Sequence, residues 1–186
     1  MSSLLILLGI AAVVVVVLAS MYNGLVNAKN SVKNAWSQID VQLKRRHDLI
    51  PNLVETVKGY VKHERETLEA VTKARQQAID LSGASVAERA KIENFLTQTL
   101  KSLFAVSEAY PDLKANENFL NLQEEITTTE NRVSFSRQAY NDEVLNLNNK
   151  VEMFPTNIIA GMFGFSQGEY FEIDDLAEKE VPKVQF

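Results

Sequence analysis

Residues 21–64 read MYNGLVNAKNSVKNAWSQIDVQLKRRHDLIPNLVETVKGYVKHE. Apolar residues recur in this stretch at alternating spacings of four and three, which places them on one face of an α-helix. The heptad pattern continues to Leu81. It is interrupted by four polar residues, Lys29, Arg46, Glu64 and Thr67. The pattern predicts a long amphipathic helix whose apolar face packs inside a helical bundle, as the a and d positions of a coiled coil do.

Pro51 lies inside this pattern without changing its phase. We expect one continuous helix that bends at Pro51, because the proline falls on the outward-facing side. The alternative is two helices that meet near Asp48, since proline disfavours helical geometry in the residue before it.

A run without Asp, Glu, Lys, Arg or His, from Leu4 to Tyr22, precedes the amphipathic helix. At about 1.5 Å per residue this run is roughly 28 Å long, which is close to the thickness of a hydrocarbon core. It is predicted to be a single transmembrane helix. A cleaved signal peptide is the less favoured alternative, because the segment has neither a basic n-region nor a small-x-small cleavage site.

The basic residues that follow the run predict its orientation. Lys29 and Lys33 lie within the distance that the positive-inside rule counts, and the basic group Lys44, Arg45 and Arg46 lies farther along. The N-terminus should therefore lie outside the cytoplasm and the helical domain inside it. The net charge of −5 argues against nucleic acid as a partner.

Two further helices are predicted after residue 83. Ser85 and Glu88 form a capping box for a helix that should end at Ala109, before Pro111. Apolar residues then recur every seven positions, which predicts a return helix over roughly residues 113–153.

The predicted fold class is therefore all-α. An N-terminal transmembrane helix is followed by an antiparallel bundle of three to four long helices and a short, extended, acidic C-terminal tail. The predicted boundaries are 1–3 for the extracytoplasmic N-terminus, 4–22 for the transmembrane helix, 23–165 for the bundle and 166–186 for the tail.

Short motifs stand out along the whole chain. Within residues 21–64 they are Tyr22-Asn23, Trp36-Ser37, the block from Ile39 to Asp48, and Pro51-Asn52-Leu53-Val54. Farther along they are Glu130-Asn131-Arg132, Arg137-Gln138-Ala139-Tyr140-Asn141-Asp142, Phe154-Pro155, Tyr170-Phe171 and Pro182-Lys183-Val184-Gln185-Phe186. Together these motifs resemble the LemA family of bacterial membrane-anchored proteins. One departure is Leu147-Asn148, where the family often has Tyr-Asn.

The resemblance implies one N-terminal transmembrane segment, an antiparallel helical bundle and no assigned enzymatic activity. It also implies a bacterial cell. The expected location is therefore the inner membrane, as a single-pass protein whose C-terminal domain is cytoplasmic.

The basic group Lys44, Arg45 and Arg46 is a candidate interaction site. Arg46 has two interpretations, because it occupies the apolar face of the helix: a buried ion pair or ligand site, or a long side chain that extends out to solvent. We favour the second. Glu130 and Arg137 are candidates for pairing with this group or with acids of the first helix.

Sequence motifs for catalysis and metal binding are incomplete or missing. His47 and His63 are expected on exposed faces, and residues 63–67 begin like the zinc-protease motif HExxH but end in Thr67. The chain has no cysteine, no GxSxG motif and no phosphate-binding glycine loop. We therefore expect no enzymatic activity, metal, cofactor or small-molecule substrate.

Residues 156–165 form the second candidate interaction site. Their apolar side chains either cover the end of the bundle or form an exposed patch that docks a partner, another subunit or the bilayer surface. The side chains in question are Ile158, Ile159, Met162, Phe163 and Phe165.

The function predicted from these features is that of a membrane-anchored, non-enzymatic helical scaffold or adaptor. Its expected partners are the lipid bilayer, copies of itself and other membrane or envelope proteins. The alternative is a membrane sensor or remodelling protein whose basic first helix contacts anionic lipids.

Overall fold

A computed structural model of the chain describes residues 2–61 and 64–172. Within these ranges the chain forms six α-helices and no β-strand, which confirms the all-α prediction. The helices are α1 (Ser2–Lys58), α2 (Arg65–Asp80), α3 (Val86–Ser107), α4 (Pro111–Lys114), α5 (Glu117–Glu152) and α6 (Thr156–Phe163).

Helix α1 begins with the apolar run. Among the described residues it is the one helix that is long and apolar enough to cross a membrane, and the side chains of its most apolar window are not buried. Leu4 is 64% exposed and Val16 is 67% exposed. An isolated apolar helix surface of this length is unfavourable in water. Its length and composition fit the predicted transmembrane segment.

The chain divides into two compact units at three points. Two of these points fall inside helices, one in α1 and one in α5, and the third lies between Glu169 and Tyr170. Unit 1 contains the chain up to Ile39 together with Ser136–Glu169. Unit 2 contains Asp40–Phe135 together with the segment that begins at Tyr170.

The core of unit 2 is built by helices that each bring one apolar face to a common interior. Leu53 of α1, Val71 of α2 and Leu103 of α3 are completely buried in this core, and Phe119 and Ile126 of α5 pack with them. These side chains follow the helical spacing of their segments, so burying them removes one apolar stripe of each helix from water.

The continuous path of α1 through Pro51 is confirmed, but the single helix predicted as far as Leu81 is wrong. Helix α1 ends at Lys58, and α2 begins at Arg65. The amides of Tyr60 and Val61 both donate to the carbonyl of Val57, which closes the last turn. Gly59 favours this ending because it is a poor helix former. The heptad phase hides the break, since α2 packs in the same core.

Pro51 leaves one carbonyl of α1 without its usual donor. A residue at this position normally donates its amide to the carbonyl four residues earlier, that of His47, and proline has no amide hydrogen. The Nε of Arg75, on α2, donates to the His47 carbonyl oxygen at 2.7 Å. A side chain from a neighbouring helix thus satisfies the carbonyl, and α1 continues past the proline.

The capping box predicted for α3 is confirmed: Ser85 accepts from the amide of Glu88, and the Glu88 carboxylate accepts from the Ser85 amide. The predicted return helix begins a few residues later than expected. The short helix α4 comes first, with Pro111 in its first turn, where a missing amide hydrogen has no cost.

Unit 1 packs the second half of α5 and the short α6 against α1. The rings of Trp36 and Tyr140 are 5.2 Å apart in an edge-to-face arrangement. The Tyr140 hydroxyl donates to the carbonyl of Glu169, and Asn148 exchanges two hydrogen bonds with the backbone of Gly168. These bonds hold the segment after α6 on α5.

The predicted extended tail begins in this segment. Residues 165–172 have no regular secondary structure, and Phe171 is buried. The remainder of the predicted tail, residues 173–186, lies outside the described residues.

The role of Arg75 predicts that the effects of replacing Arg75 and Pro51 on the free energy of unfolding are not additive. Replacing Arg75 by Met should reduce the free energy of unfolding by about 1 to 3 kcal/mol. The reason is that the partly buried carbonyl oxygen of His47 loses its hydrogen-bond donor. In a Pro51→Ala background the same replacement should cost clearly less, since the new amide at position 51 can donate to that carbonyl. Urea unfolding of the four proteins in detergent, followed by circular dichroism, measures this. Equal costs in both backgrounds would contradict the role.

Candidate functional site

A buried charge cluster lies in unit 2, where α1, α3 and α5 each contribute polar side chains. Its members are Arg46 and His47 from α1, Glu93 and Thr97 from α3, and Glu130 from α5. Arg46 has no exposed surface, and the side chain of Glu93 is 1% exposed. Charged groups are rarely buried this completely unless they are paired.

The guanidinium of Arg46 is shared between two carboxylates. One terminal nitrogen donates to Glu93 and the other donates to Glu130. The nitrogen that reaches Glu130 also donates to the Thr97 hydroxyl at 2.9 Å, and that hydroxyl donates to the second Glu130 oxygen at 2.7 Å. His47 lies on the other side of Glu93, with 3.0 Å between its Nε2 and the carboxylate.

These contacts keep the cluster charged. Burial lowers the pKa of Arg46, but attraction to Glu130 and Glu93 outweighs it and raises that pKa above its ordinary value. Burial raises the pKa of Glu93, but the hydrogen bond from His47 and the charge of Arg46 outweigh it, so the pKa lies below its ordinary value. These shifts favour the charged forms of Arg46 and Glu93 at neutral pH.

Two expectations about this region are wrong. Arg46 does not extend out to solvent, because Glu93 and Glu130 pair with it inside the unit. His47 is buried and not on an exposed face, because it packs beside Glu93. The suggested pairing of Glu130 with the basic group is confirmed, through Arg46. His63 lies outside the described residues.

Sequence analysis did not identify Glu93 and Thr97. A signal was present, because Glu93 lies between Ile92 and Leu96 on the apolar side of its helix. A carboxylate on an apolar face and an arginine on the apolar face of α1 are complementary buried charges. Periodicity alone did not show that these two faces meet.

The rest of the basic group is more exposed. Lys44 lies on the surface, and Arg45 is half-exposed and donates to Glu125 at 2.5 Å. Lys44 and His47 also line a cleft of about 380 Å³ in unit 2. Arg89 contributes to this cleft and forms an ion pair with Asp40 at 2.5 Å.

Among residues 2–61 and 64–172, no three or more His, Cys, Asp or Glu residues are grouped so that they could hold a metal ion.

The apolar side chains of residues 156–165 lie in unit 1 and divide between two environments. Ile159 is buried against Leu25, and Phe165 is partly buried beside it. Ile158, Met162 and Phe163 remain exposed. One face of α6 is thus part of a small core, and the other face is open.

The chain resembles known proteins over most of its length. A family model described as the LemA family matches residues 35–186. Protein LemA of Metamycoplasma hominis is 28% identical over 161 residues, which cover 86% of this chain and 72% of the relative.

Other relatives are named as magnetosome proteins. Magnetosome protein MamQ 2 of Paramagnetospirillum magneticum is 21% identical over 176 residues, and magnetosome protein MamQ of Magnetospirillum gryphiswaldense is 20% identical over 175 residues. Each alignment covers 81% of this chain and 64% of the relative. The chain therefore spans less than two thirds of the length of these MamQ proteins.

The charge cluster predicts that removing Arg46 alone is costly. Arg46→Met should lower the free energy of unfolding by on the order of 3 to 5 kcal/mol, because two carboxylates lose their cation. Adding Glu93→Leu and Glu130→Leu should restore much of this loss, since the interior then holds no uncompensated charge. Urea unfolding measures both effects. Arg45→Met is the control and should cost less than about 1 kcal/mol, because its ion pair is exposed. A triple variant no more stable than Arg46→Met would contradict the pairing.

The lowered pKa of Glu93 predicts a pH dependence of stability. In the unfolded chain this carboxyl group takes up a proton near its ordinary value of 4.5, and in the folded chain it does so only at lower pH. Its contribution to stability is therefore complete above that value and is lost as the pH falls through the folded-state pKa. Unfolding free energies measured from neutral to acidic pH should decline less steeply for Glu93→Gln than for the exposed control Glu124→Gln. Identical slopes would show that Glu93 does not titrate in this way.

Proposed function

We propose that this chain, which belongs to the LemA family, is a membrane-anchored, non-enzymatic helical scaffold. In this proposal the apolar run of α1 crosses the membrane, and the remaining helices form an antiparallel bundle. The bundle presents its outer surface to copies of the chain or to other membrane proteins.

One observation carries the proposal: the apolar run leads directly into a packed core. Leu25 is completely buried with Ile159 and Ala160, only one helical turn after Tyr22, where the apolar run ends. Helix α1 has no break between these residues. A domain joined to its membrane segment without a flexible linker is held at a fixed distance from the membrane. This suits a protein that positions a binding surface.

The orientation belongs to the same proposal. Lys29 and Lys33 are exposed on the bundle side of the apolar run. Basic residues near a membrane segment favour the cytoplasmic side. We therefore place the bundle in the cytoplasm, at the inner membrane of a bacterial cell, with the N-terminus outside.

The buried ionisable groups support a structural role. General acid–base catalysis needs a group that reaches a substrate and changes its protonation state. Glu93 is enclosed and bound to Arg46 and His47, and Glu130 is bound to Arg46 and Thr97. These groups bind one another and set the register of the helices. The relatives described above have names that state no reaction.

A candidate binding surface lies on unit 2. Phe135 of α5 is 72% exposed, and Phe95 of α3 and Leu120 of α5 are also exposed. Exposed aromatic side chains are typical anchors of protein interfaces. They are not needed by the core, which already contains Phe119 and Ile126 from the same helix.

The alternative function, binding of anionic lipids by the basic first helix, has less support. Arg46 is enclosed in the charge cluster and Arg45 is paired with Glu125, so Lys44 is the exposed member of this basic group that neither arrangement engages. One lysine contributes about 1 kcal/mol at an anionic surface, so the group Lys44, Arg45 and Arg46 adds little to lipid binding.

The scaffold proposal predicts contacts with proteins at the exposed aromatic surface. A photo-crosslinking amino acid should replace Phe135 in the full-length chain in cells, and the same amino acid at Lys101, an exposed polar position of unit 2, should serve as the control. Light should produce discrete protein adducts at position 135 and not at position 101. Coexpression of a differently tagged copy separates self-association from capture of another membrane protein.

Two outcomes of the crosslinking would contradict the role of this surface. If position 135 yields no protein adduct, or the same adducts as position 101, this surface does not act as a scaffold. Anchoring must be checked in the same cells by membrane fractionation, because loss of anchoring would remove the contacts for a different reason.

A further inference from the structure

A group of exposed apolar side chains lies on α6 and on the turn that precedes it, in unit 1. Helix α6 carries no ionisable side chain. Ile158 is 54% exposed, Met162 72% and Phe163 60%, and just before the helix Met153 and Phe154 are 62% and 80% exposed. We call these five side chains the apolar foot. Apolar side chains concentrated in this way are unusual on a water-facing surface and mark a site of contact.

Contacts with α1 fix the position of the apolar foot along the axis of that helix. The ring centroid of Phe163 lies 4.9 Å from that of Tyr22, and the ring of Phe165 lies 5.8 Å from it. Tyr22 is the last residue of the apolar run, and Asn23 follows it. Leu25, about 4.5 Å farther along α1, packs against Ile159. Helix α6 is thus held at the level where the apolar run ends.

The chemistry of the surrounding residues changes at this level. Lys29, seven residues beyond Tyr22 on α1, places its ammonium 5.8 Å from the centroid of the Phe165 ring. Lys150 donates to the carbonyl of Gly24 at 3.4 Å. Lysines and tyrosines beside an apolar segment are typical of the boundary between lipid head groups and acyl chains. Phe163 of the apolar foot meets α1 at Tyr22, seven residues nearer the start of the apolar run than Lys29.

We infer that the apolar foot is a second membrane contact, in which α6 lies in the boundary between head groups and acyl chains beside the transmembrane segment. The occupant is phospholipid, because α6 meets α1 at Tyr22, where the apolar run ends, and Lys29 lies beside Phe165. A helix that lies in the interface in this way buries its apolar face without crossing the bilayer.

This contact would restrict the bundle more than one helix alone. A single transmembrane helix leaves its domain free to tilt and to rotate about the helix axis. A second apolar contact on one side of that axis fixes the side that faces the bilayer. The inference rests on the membrane anchoring in the proposed function and not on the binding of protein partners.

The experiment measures the depth of single fluorophores in the full chain. Because the chain contains no cysteine, one introduced cysteine gives one labelled position. The variants are Met162→Cys for the apolar foot, Leu18→Cys inside the apolar run, and Gln138→Cys at an exposed polar site of α5. Each is labelled with an environment-sensitive dye and reconstituted in vesicles of phosphatidylcholine and phosphatidylglycerol, with or without lipids that carry a nitroxide on the upper acyl chain.

The labels at positions 162 and 18 should both lose fluorescence to the nitroxide lipid, and the label at 138 should not. If the label at 162 behaves like that at 138, the apolar foot does not contact lipid. If it is protected from both the nitroxide lipid and aqueous iodide, a protein covers the site and the phospholipid assignment is wrong. Absence of quenching at position 18 would overturn the membrane anchoring as well.

Paired substitutions test the apolar character of the contact. A label at Phe154→Cys should lose its lipid quenching when Ile158→Glu and Met162→Glu are added, and should keep it with Ile158→Leu and Met162→Leu. Both positions are exposed, so neither pair disturbs the core. Equal quenching in the two backgrounds would overturn the inference. The crosslinking at position 135 reports on protein partners, so failure of the scaffold proposal and failure of the lipid contact are distinguishable.

Discussion

The packing of unit 2 depends on the neutralisation of one buried cation. A guanidinium without exposed surface is tolerated only where carboxylates and hydrogen-bond acceptors surround it. Arg46 meets this requirement with Glu93 from α3 and Glu130 from α5. Sliding any of the three helices by one turn would move a charge by about 5.4 Å and leave it unpaired. The cluster therefore fixes a register that the apolar contacts alone specify less strictly, since a heptad pattern repeats along each helix.

Helix α1 combines two kinds of surface that normally belong to separate segments. Its first part is apolar on all sides, and its later part is apolar on one face. An element of the first kind is stable in lipid, and one of the second kind is stable on a protein core. Because one helix carries both, insertion of its first part in a membrane would be coupled through the backbone to the packing of its later part. Arg75 preserves this continuity where Pro51 would otherwise leave the carbonyl of His47 without a donor.

The sequence predicted the local features well because they depend on neighbours in the chain. The helical faces follow from heptad spacing, and the capping box at Ser85 follows from residues three apart. The failures concern partners that are distant in sequence. Arg46 and Glu93, the partner that sequence analysis did not identify, are 47 positions apart. The break after Lys58 was missed for a different reason: α2 continues the heptad phase of α1, so the spacing of apolar residues carries no trace of the turn.

Two groups of side chains are placed contrary to what water alone would select. Unit 2 encloses an arginine, a histidine and a glutamate, whereas α6 exposes an isoleucine, a methionine and a phenylalanine. Ion pairs explain the first arrangement, because they compensate the loss of hydration. Nothing within unit 1 compensates the exposure of α6, although the buried Ile159 shows that α6 already contributes to a core. Its open face is consistent with a medium that is itself apolar, and the contact with Tyr22 places that face where such a medium begins.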